Sequence, residues 1–217
     1  MKRVNLFLGH YGTGKTNIAL NFALMLKENV TVYDLDIVNP YFRTLDGKDI
    51  LDSNNIPLIA SDYANTNVDC PAMNPECYLM VRDKNRYAVV DVGGDDRGAY
   101  ALGRFRNDII EENNYDMFLI INKYRYETRT PEETLEIKKE IEEVAGIKFT
   151  AIINNSNLGR ETTKEVILNS LEYAKEVSKL TGLEIKYTAI REDLVKEFNG
   201  EIDNIIPLKL INYGLWV

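Results

Sequence analysis

Residues 9–16, with the sequence GHYGTGKT, decide the fold of this chain. They match the spacing G-x-x-x-x-G-K-[ST] at every fixed position. The short apolar run Val4 to Leu8 precedes them, and the amphipathic stretch Lys15 to Glu28 follows. A glycine-rich turn that joins a buried strand to the start of a helix is typical of α/β proteins.

The residue types in this turn suit the binding of a nucleotide triphosphate. Glycines allow backbone N–H groups to surround phosphate oxygens, and the helix N-terminus adds positive potential. We expect the Lys15 ammonium to reach the β- and γ-phosphates and the Thr16 hydroxyl to bind Mg²⁺. The candidate nucleotide-binding residues of this segment are Gly9, His10, Tyr11, Gly12, Thr13, Gly14, Lys15, Thr16 and Asn17.

Short apolar runs alternate with amphipathic stretches along the rest of the chain. This alternation predicts an α/β fold of three layers, Rossmann-like, with a mostly parallel sheet and helices on both faces. The predicted strands are Val4–Leu8, Val30–Leu35, Tyr87–Val92, Met117–Ile121, Phe149–Ile153 and Ile185–Ile190, and the clearest helices are Lys15–Glu28, Thr130–Val144 and Glu161–Leu180. We expect residues 1–217 to form a single nucleotide-binding domain with an irregular switch or insertion region at about 38–85.

Acidic residues follow two further predicted strands. Asp34 and Asp36 lie at the end of the second strand, and Asp91 ends the strand that precedes Gly93 and Gly94. Carboxyl ends of parallel strands meet at one edge of the sheet, so these acids should lie beside the glycine-rich turn. Asp91 is suited to hold Mg²⁺ through water, and the bare N–H of Gly94 to contact a γ-phosphate.

Composition excludes several other classes of protein. The chain has 217 residues, is 45% hydrophobic and has a net charge of −8, which argues against non-specific nucleic-acid binding. It contains no apolar run long enough for a signal peptide or a membrane span, so we expect a cytoplasmic protein.

Cys70 and Cys77 are expected to be reduced thiols. The apolar C-terminal stretch 205–217 predicts an edge strand or docking segment, with a membrane or partner tether as the alternative.

These motifs together resemble the SIMIBI branch of P-loop NTPases, and most closely the CobQ/CobB/MinD/ParA group. The resemblance covers Lys2 to about Ile190 and rests on the phosphate-binding loop, on the D-x-D of residues 34–36 and on the D-x-G-G of residues 91–94. It implies that Asp36 orients or activates the attacking water and lies at the metal, and that Thr16 and Asp91 serve Mg²⁺. Lys15 would contact the phosphates and, with Asp36, form the catalytic pair.

The same resemblance implies how the base is recognised. Asn154 or Asn155 occupies the place where MinD-like proteins hold the base with an asparagine. A guanine-reading N-K-x-D motif would need an aspartate where Arg125 follows Asn122, Lys123 and Tyr124. We therefore expect ATP, with GTP possible because other guanine-reading arrangements exist in this branch.

One departure from the resemblance concerns the charge on the phosphate-binding loop. MinD and ParA relatives carry a lysine where this chain has His10, its only histidine. His10 is interpreted either as a weaker substitute, with a pH-dependent charge, or as a loop residue. Arg43 and Arg97 are candidate replacements for the missing charge, and a structural ion pair is the alternative for each.

Three functions fit these observations. The leading hypothesis is a Mg²⁺-dependent ATPase of low turnover that acts as a MinD/ParA-like nucleotide switch, with a nucleotide-dependent homodimer and an unidentified protein or small-molecule partner. The second is a small-molecule kinase or ATP-dependent ligase of the dethiobiotin or cobyrinate synthetase type, with its acceptor site within residues 38–85. The third is a nucleotide-binding interaction module with negligible turnover.

Residues 123–129 contain three basic residues and two tyrosines, which favours either an anionic partner or a solvated loop. Nucleic-acid and membrane partners are not expected.

Overall fold

The described residues form one eight-stranded sheet in which every neighbouring pair of strands is parallel. The structure, a computed structural model, describes residues 1–36, 44–60, 74–94, 96–198 and 200–211, with the backbone alone at 45, 46, 96 and 97. The strands are β1 (Val4–Leu8), β2 (Val30–Leu35), β3 (Leu58–Ile59), β4 (Tyr87–Val92), β5 (Tyr115–Ile121), β6 (Ala151–Asn154), β7 (Glu184–Arg191) and β8 (Ile205–Leu208). Their order is β3-β2-β4-β1-β5-β6-β7-β8.

Helices cover both faces of this sheet, which confirms the predicted layered α/β fold. They are α1 (Lys15–Leu26), α2 (Lys48–Ser53), α3 (Leu79–Arg82), α4 (Asp96–Gly103), α5 (Arg106–Glu112), α6 (Pro131–Ala145) and α7 (Lys164–Thr181). Helix α6 begins where the sequence predicts, because Thr130 and Glu133 form a reciprocal capping box ahead of Pro131.

Each central strand sends alternate side chains to opposite faces. In β5, Met117 and Leu119 belong to one apolar cluster, whereas Phe118 and Ile120 belong to another. The first cluster includes residues of α4 to α7, and the second includes residues of α1 and α2. Burial on both faces explains why these strands are continuous apolar runs.

The two edge strands differ in how well the sequence indicates them. Strand β8 confirms the edge strand predicted in the apolar C-terminal stretch. The other edge, β3, has only two residues and was not predicted. It belongs to the irregular region 38–85, where α2 and α3 also form, while residues 37–43 and 61–73 lie outside the described part.

Helix α1 also holds the chain beyond β8. The Asn21 amide donates to the Lys209 carbonyl at 2.9 Å and accepts from the Lys209 N–H at 2.9 Å. Asn17 Oδ1 accepts the Ile211 N–H at 3.1 Å. These bonds tie the C-terminal segment to the helix that begins at the phosphate-binding loop.

Two further findings concern the described residues alone. None of their helices has the length and apolarity required to cross a bilayer. Cys77 is a buried free thiol, whereas Cys70 and the last residues, 212–217, lie outside the described part.

Candidate phosphate-binding site

Strand order brings the predicted site residues together at the carboxyl edge of the sheet. Strand β4 lies between β2 and β1, and β5 lies on the other side of β1. Asp91 on β4 is in register with Asp34 on one side and with Phe7 on the other. The segments that follow these four strands therefore leave the sheet side by side, which is where α/β proteins bind ligands.

The phosphate-binding loop enters α1 through a left-handed turn. Gly14 has φ 87° and ψ 24°, and a Cβ atom there would lie 2.4 Å from Asn155 Nδ2. Only glycine fits this combination of backbone conformation and close approach. The next residue, Lys15, is buried, and its ammonium donates to the His10 carbonyl at 3.3 Å.

The D-x-G-G segment packs directly against this loop. A Cβ atom at Gly94 would lie 2.7 Å from Lys15 Nζ and 2.8 Å from the Tyr11 nitrogen. The absence of a side chain at Gly94 thus leaves its backbone beside both the lysine and the loop. This placement fits the role expected of Gly94.

Three carboxylates are buried at the same edge. Asp34, Asp36 and Asp91 are each less than 10% exposed, and Asp34 Oδ1 accepts the Asp36 N–H at 2.9 Å. Burial and the charge of Asp36 raise the pKa of Asp91 from 3.8 to about 6, although the Thr16 hydroxyl, the Lys15 ammonium and the Thr44 hydroxyl oppose the shift. The chain therefore buries three carboxyl groups close together beside Lys15, and the raised pKa of Asp91 reflects the cost of ionising it there.

Thr44 is a site residue that the sequence analysis did not identify. It is fully buried at the start of a short 3₁₀ helix, Thr44–Gly47, and its hydroxyl donates to Asp91 Oδ2 at 2.9 Å. The only sequence signal was its position in the polar stretch after the D-x-D motif. A hydroxyl contact between distant segments has no spacing rule that could have revealed it.

The donors at this edge fit Mg²⁺. Asp91 Oδ1 is buried without a hydrogen-bond partner among the described residues, and such an atom is costly unless a ligand satisfies it. No cluster of three or more His, Cys, Asp or Glu residues suitable for a metal occurs in the described ranges. Mg²⁺ does not require one, because it commonly uses one or two carboxylates together with phosphates and water.

The two asparagines at the end of β6 have internal partners. Asn155 Nδ2 donates to the Thr13 carbonyl at 2.7 Å and so supports the back of the phosphate-binding loop. Asn154 Nδ2 donates to Ser170 Oγ at 3.0 Å, and its Oδ1 accepts the Ser156 N–H at 3.2 Å. The structure thus brings Asn155 to the loop and places Asn154 against α7.

The segment after β5 contacts the phosphate-binding loop at two points. His10 Nε2 lies 3.0 Å from Glu127 Oε2, and His10 Nδ1 lies 3.2 Å from the Tyr11 carbonyl oxygen. Arg125 lies against Gly12, where a Cβ atom would be 3.7 Å from its Nε. Neither contact was predicted from the sequence, since both depend on how two separate loops pack.

Comparison with solved structures gives the same architecture. The fold is similar to that of the signal recognition particle receptor FtsY from Elizabethkingia anophelis, with a TM-score of 0.57, 16% sequence identity and coverage of 90% of this chain and 61% of that chain. The two chains share an α/β P-loop NTPase-like fold. The cell division protein FtsY from Thermotoga maritima gives a TM-score of 0.57, 18% identity and coverage of 88% and 62%. The E. anophelis receptor in complex with GDP gives a TM-score of 0.52 and 13% identity, with coverage of 88% of this chain and 58% of that chain.

The comparisons establish the fold and leave the family of the protein open. The chain spans less than two thirds of the length of each of these neighbours. No protein-family model matches the chain, and no curated protein matches its sequence. The shared fold confirms the predicted α/β architecture, while membership of the SIMIBI class and of its MinD/ParA-like group stays a prediction.

Several predicted site features lie apart from this edge or outside the described residues. Asn17 follows Thr16 in α1, and its side chain contacts the C-terminal segment. Arg43 falls within residues 37–43, and the side chain of Arg97 is also outside the described part. Within the stretch proposed as an acceptor site, residues 38–43 and 61–73 lie outside the described part, and that interpretation stays a prediction as well.

Proposed function

We propose that the protein is a Mg²⁺-dependent nucleoside triphosphatase that binds ATP and acts as a nucleotide switch. One observation supports this above the others. A complete phosphate-binding loop adjoins buried Asp91, whose Oδ1 has no partner among the described residues, and Gly94, which packs against Lys15. This combination provides donors for phosphate and oxygen ligands for its counter-ion at one edge of the sheet.

Each residue of the site has a distinct part in the proposed reaction. Lys15 and the loop N–H groups bind the phosphates, and Thr16, Asp91 and Asp36 would hold Mg²⁺. Mg²⁺ held there would supply positive charge that neutralises the phosphates. Asp36, buried beside Asp91, orients the attacking water for in-line displacement.

Thr44 couples the nucleotide site to the polypeptide after β2. Its hydroxyl donates to Oδ2 of the carboxylate whose Oδ1 would serve the metal, so binding of Mg²⁺-nucleotide would act on Thr44 through Asp91. A bound γ-phosphate would then reorganise the segment that contains Asp36 and Thr44. An order change of this kind is how nucleotide switches alter the affinity for a partner.

The preference for ATP rests on the residue at position 125. An arginine stands where an N-K-x-D motif has its guanine-reading aspartate, and an arginine cannot accept the guanine N–H groups. Asn154 or Asn155 would hold the base only by exchanging partners, because both amides have internal hydrogen bonds. Calorimetric titration of each alanine variant with ATP and with inorganic triphosphate tests this role, which fails if neither variant loses affinity or if both ligands are weakened alike.

Calorimetry with ATP and GTP, each with Mg²⁺ and with EDTA, tests the function itself. We expect binding of ATP in Mg²⁺ by the wild type and loss of binding by Lys15→Ala. Light scattering on the same samples tests the nucleotide-dependent homodimer. Nucleotide consumption that required an added metabolite mixture would contradict the switch and favour phosphoryl transfer to an acceptor.

A further inference from the structure

We infer that Arg125 binds the nucleotide phosphates from within the same chain, as a second cation beside Lys15. The inference rests on the proposed function and adds a residue that the sequence motifs do not include. It starts from the position of the guanidinium. Arg125 Nε, Cδ and Cζ lie 3.7, 3.8 and 3.9 Å from the position of a Cβ atom at Gly12, in the middle of the phosphate-binding loop.

The negative charge expected around the loop favours a second cation there. A triphosphate brings several negative charges to an edge that already holds Asp34, Asp36 and Asp91. Both ring nitrogens of His10 already have partners within the protein, Nε2 at the Glu127 carboxylate and Nδ1 at the Tyr11 carbonyl. Lys15 and Arg125 are two cations that lie against the loop.

Arg125 is available for a ligand. It is exposed, and its guanidinium forms no hydrogen bond or ion pair with another described residue. Arg129, in the same loop, does have a partner, because its guanidinium lies 4.7 Å from the centre of the Tyr126 ring. Arg129 also lines a separate cavity of about 340 Å³ with Glu133 and Glu136.

The backbone around Arg125 is held firmly in place. Its N–H donates to the Asn122 carbonyl at 3.1 Å, and its carbonyl accepts the Thr128 N–H at 3.2 Å. The Lys123 N–H donates to Ser156 Oγ at 3.0 Å, and the Tyr124 hydroxyl donates to the Val166 carbonyl at 2.6 Å. A guanidinium on a fixed backbone loses less entropy when it binds phosphate, and its forked donors suit phosphate oxygens.

The test compares three variants in calorimetric titrations with Mg²⁺ and ATP at low and high salt. We expect Arg125→Ala to lose about tenfold in ATP affinity at low salt. Arg125→Lys should keep most of that affinity because it keeps the charge. Arg129→Ala is the matched control, since it removes the same charge from the same loop, and it should bind like the wild type. Circular dichroism melting checks that all three variants are folded.

Salt identifies the group that Arg125 contacts. A contact with phosphate should weaken as salt screens it, so the difference between wild type and Arg125→Ala should shrink at high salt. A difference that salt leaves unchanged would overturn the inference in favour of a contact with the base. Equal affinities of Arg125→Ala and Arg129→Ala would overturn it while leaving the proposed function intact. A wild type that binds no nucleotide would overturn both.

Discussion

Replacing Asp91 by asparagine should stabilise the ligand-free protein while weakening its response to Mg²⁺. The carboxylate is fully buried, lies near the charge of Asp36 and has one oxygen without a partner among the described residues. Asparagine has nearly the same shape and carries no charge, and its Oδ1 can still accept the Thr44 hydroxyl. The substitution therefore removes the unfavourable charge and keeps the packing.

The expected gain follows from the pKa of Asp91. A rise from 3.8 to about 6 means that ionising this group in the folded protein costs about 3 kcal/mol more than in the unfolded chain. That figure is the upper bound, because the new amide N–H₂ must also find an acceptor. We expect the free energy of unfolding to rise by about 1–3 kcal/mol at pH 7.5.

The difference in stability between the wild type and Asp91→Asn should also depend on pH. Below pH 3.8 the aspartic acid is neutral in both states, and the penalty is absent. Between about pH 4 and pH 6 the unfolded chain ionises first, so the wild type loses stability relative to Asp91→Asn as pH rises. Above about pH 6 the difference between the two proteins should be constant.

Urea unfolding at pH 4, 5, 6 and 7.5, without nucleotide or Mg²⁺, measures this difference. Asp116→Asn is a suitable control, because Asp116 is also a buried carboxylate but is paired with Lys186 at 2.8 Å. The control should lose stability. Calorimetry should show that the ATP affinity of Asp91→Asn depends less on Mg²⁺ than that of the wild type. An Asp91→Asn protein that is less stable than wild type at pH 7.5, or equally stable at every pH, would refute the reasoning.

Three further substitutions test the supports of the site and of the fold. Gly14→Ala should lose about 1–3 kcal/mol in unfolding free energy and most ATP affinity, because its Cβ would meet Asn155 at a left-handed position; intact binding would contradict this. Asn155→Ala removes the bond to the Thr13 carbonyl, so ATP affinity in calorimetry should fall about tenfold, and an unchanged affinity would exclude that support. Burial alone would raise the pKa of Glu142, but two lysines and the Phe149 N–H outweigh it, and the net effect is a pKa below the ordinary value. Glu142→Gln should therefore be less stable than wild type at pH 7 and approach it as acid protonates Glu142, as urea unfolding can measure; a difference that is independent of pH would contradict this.

Local patterns were sufficient to predict the central sheet. Strands β1, β2 and β4 begin and end at the residues that their apolar runs indicate, because both faces of each strand are buried. The capping box at Thr130 likewise fixes the start of α6 within the chain itself. Strand β3 could not be predicted, since its two residues depend on pairing with β2 and have little pattern of their own.

The site was predictable where it rests on a linear motif. The spacing of residues 9–16 and the ends of β2 and β4 indicated a shared edge, which the strand order confirms. The contacts of Thr44 with Asp91 and of Arg125 with Gly12 join segments that are distant in sequence. Such contacts depend on how loops pack over the sheet, and a single sequence contains no local signal for them.

The binding of ATP to wild type and Lys15→Ala, measured by calorimetry with Mg²⁺ and with EDTA, tests the central claim most directly. Lys15 is buried at the loop beside Gly94, so its loss should abolish binding without exposing the core. The account predicts Mg²⁺-dependent binding of ATP by the wild type and none by the variant. Equal binding by both proteins, or no binding of ATP or GTP by the wild type, would contradict it.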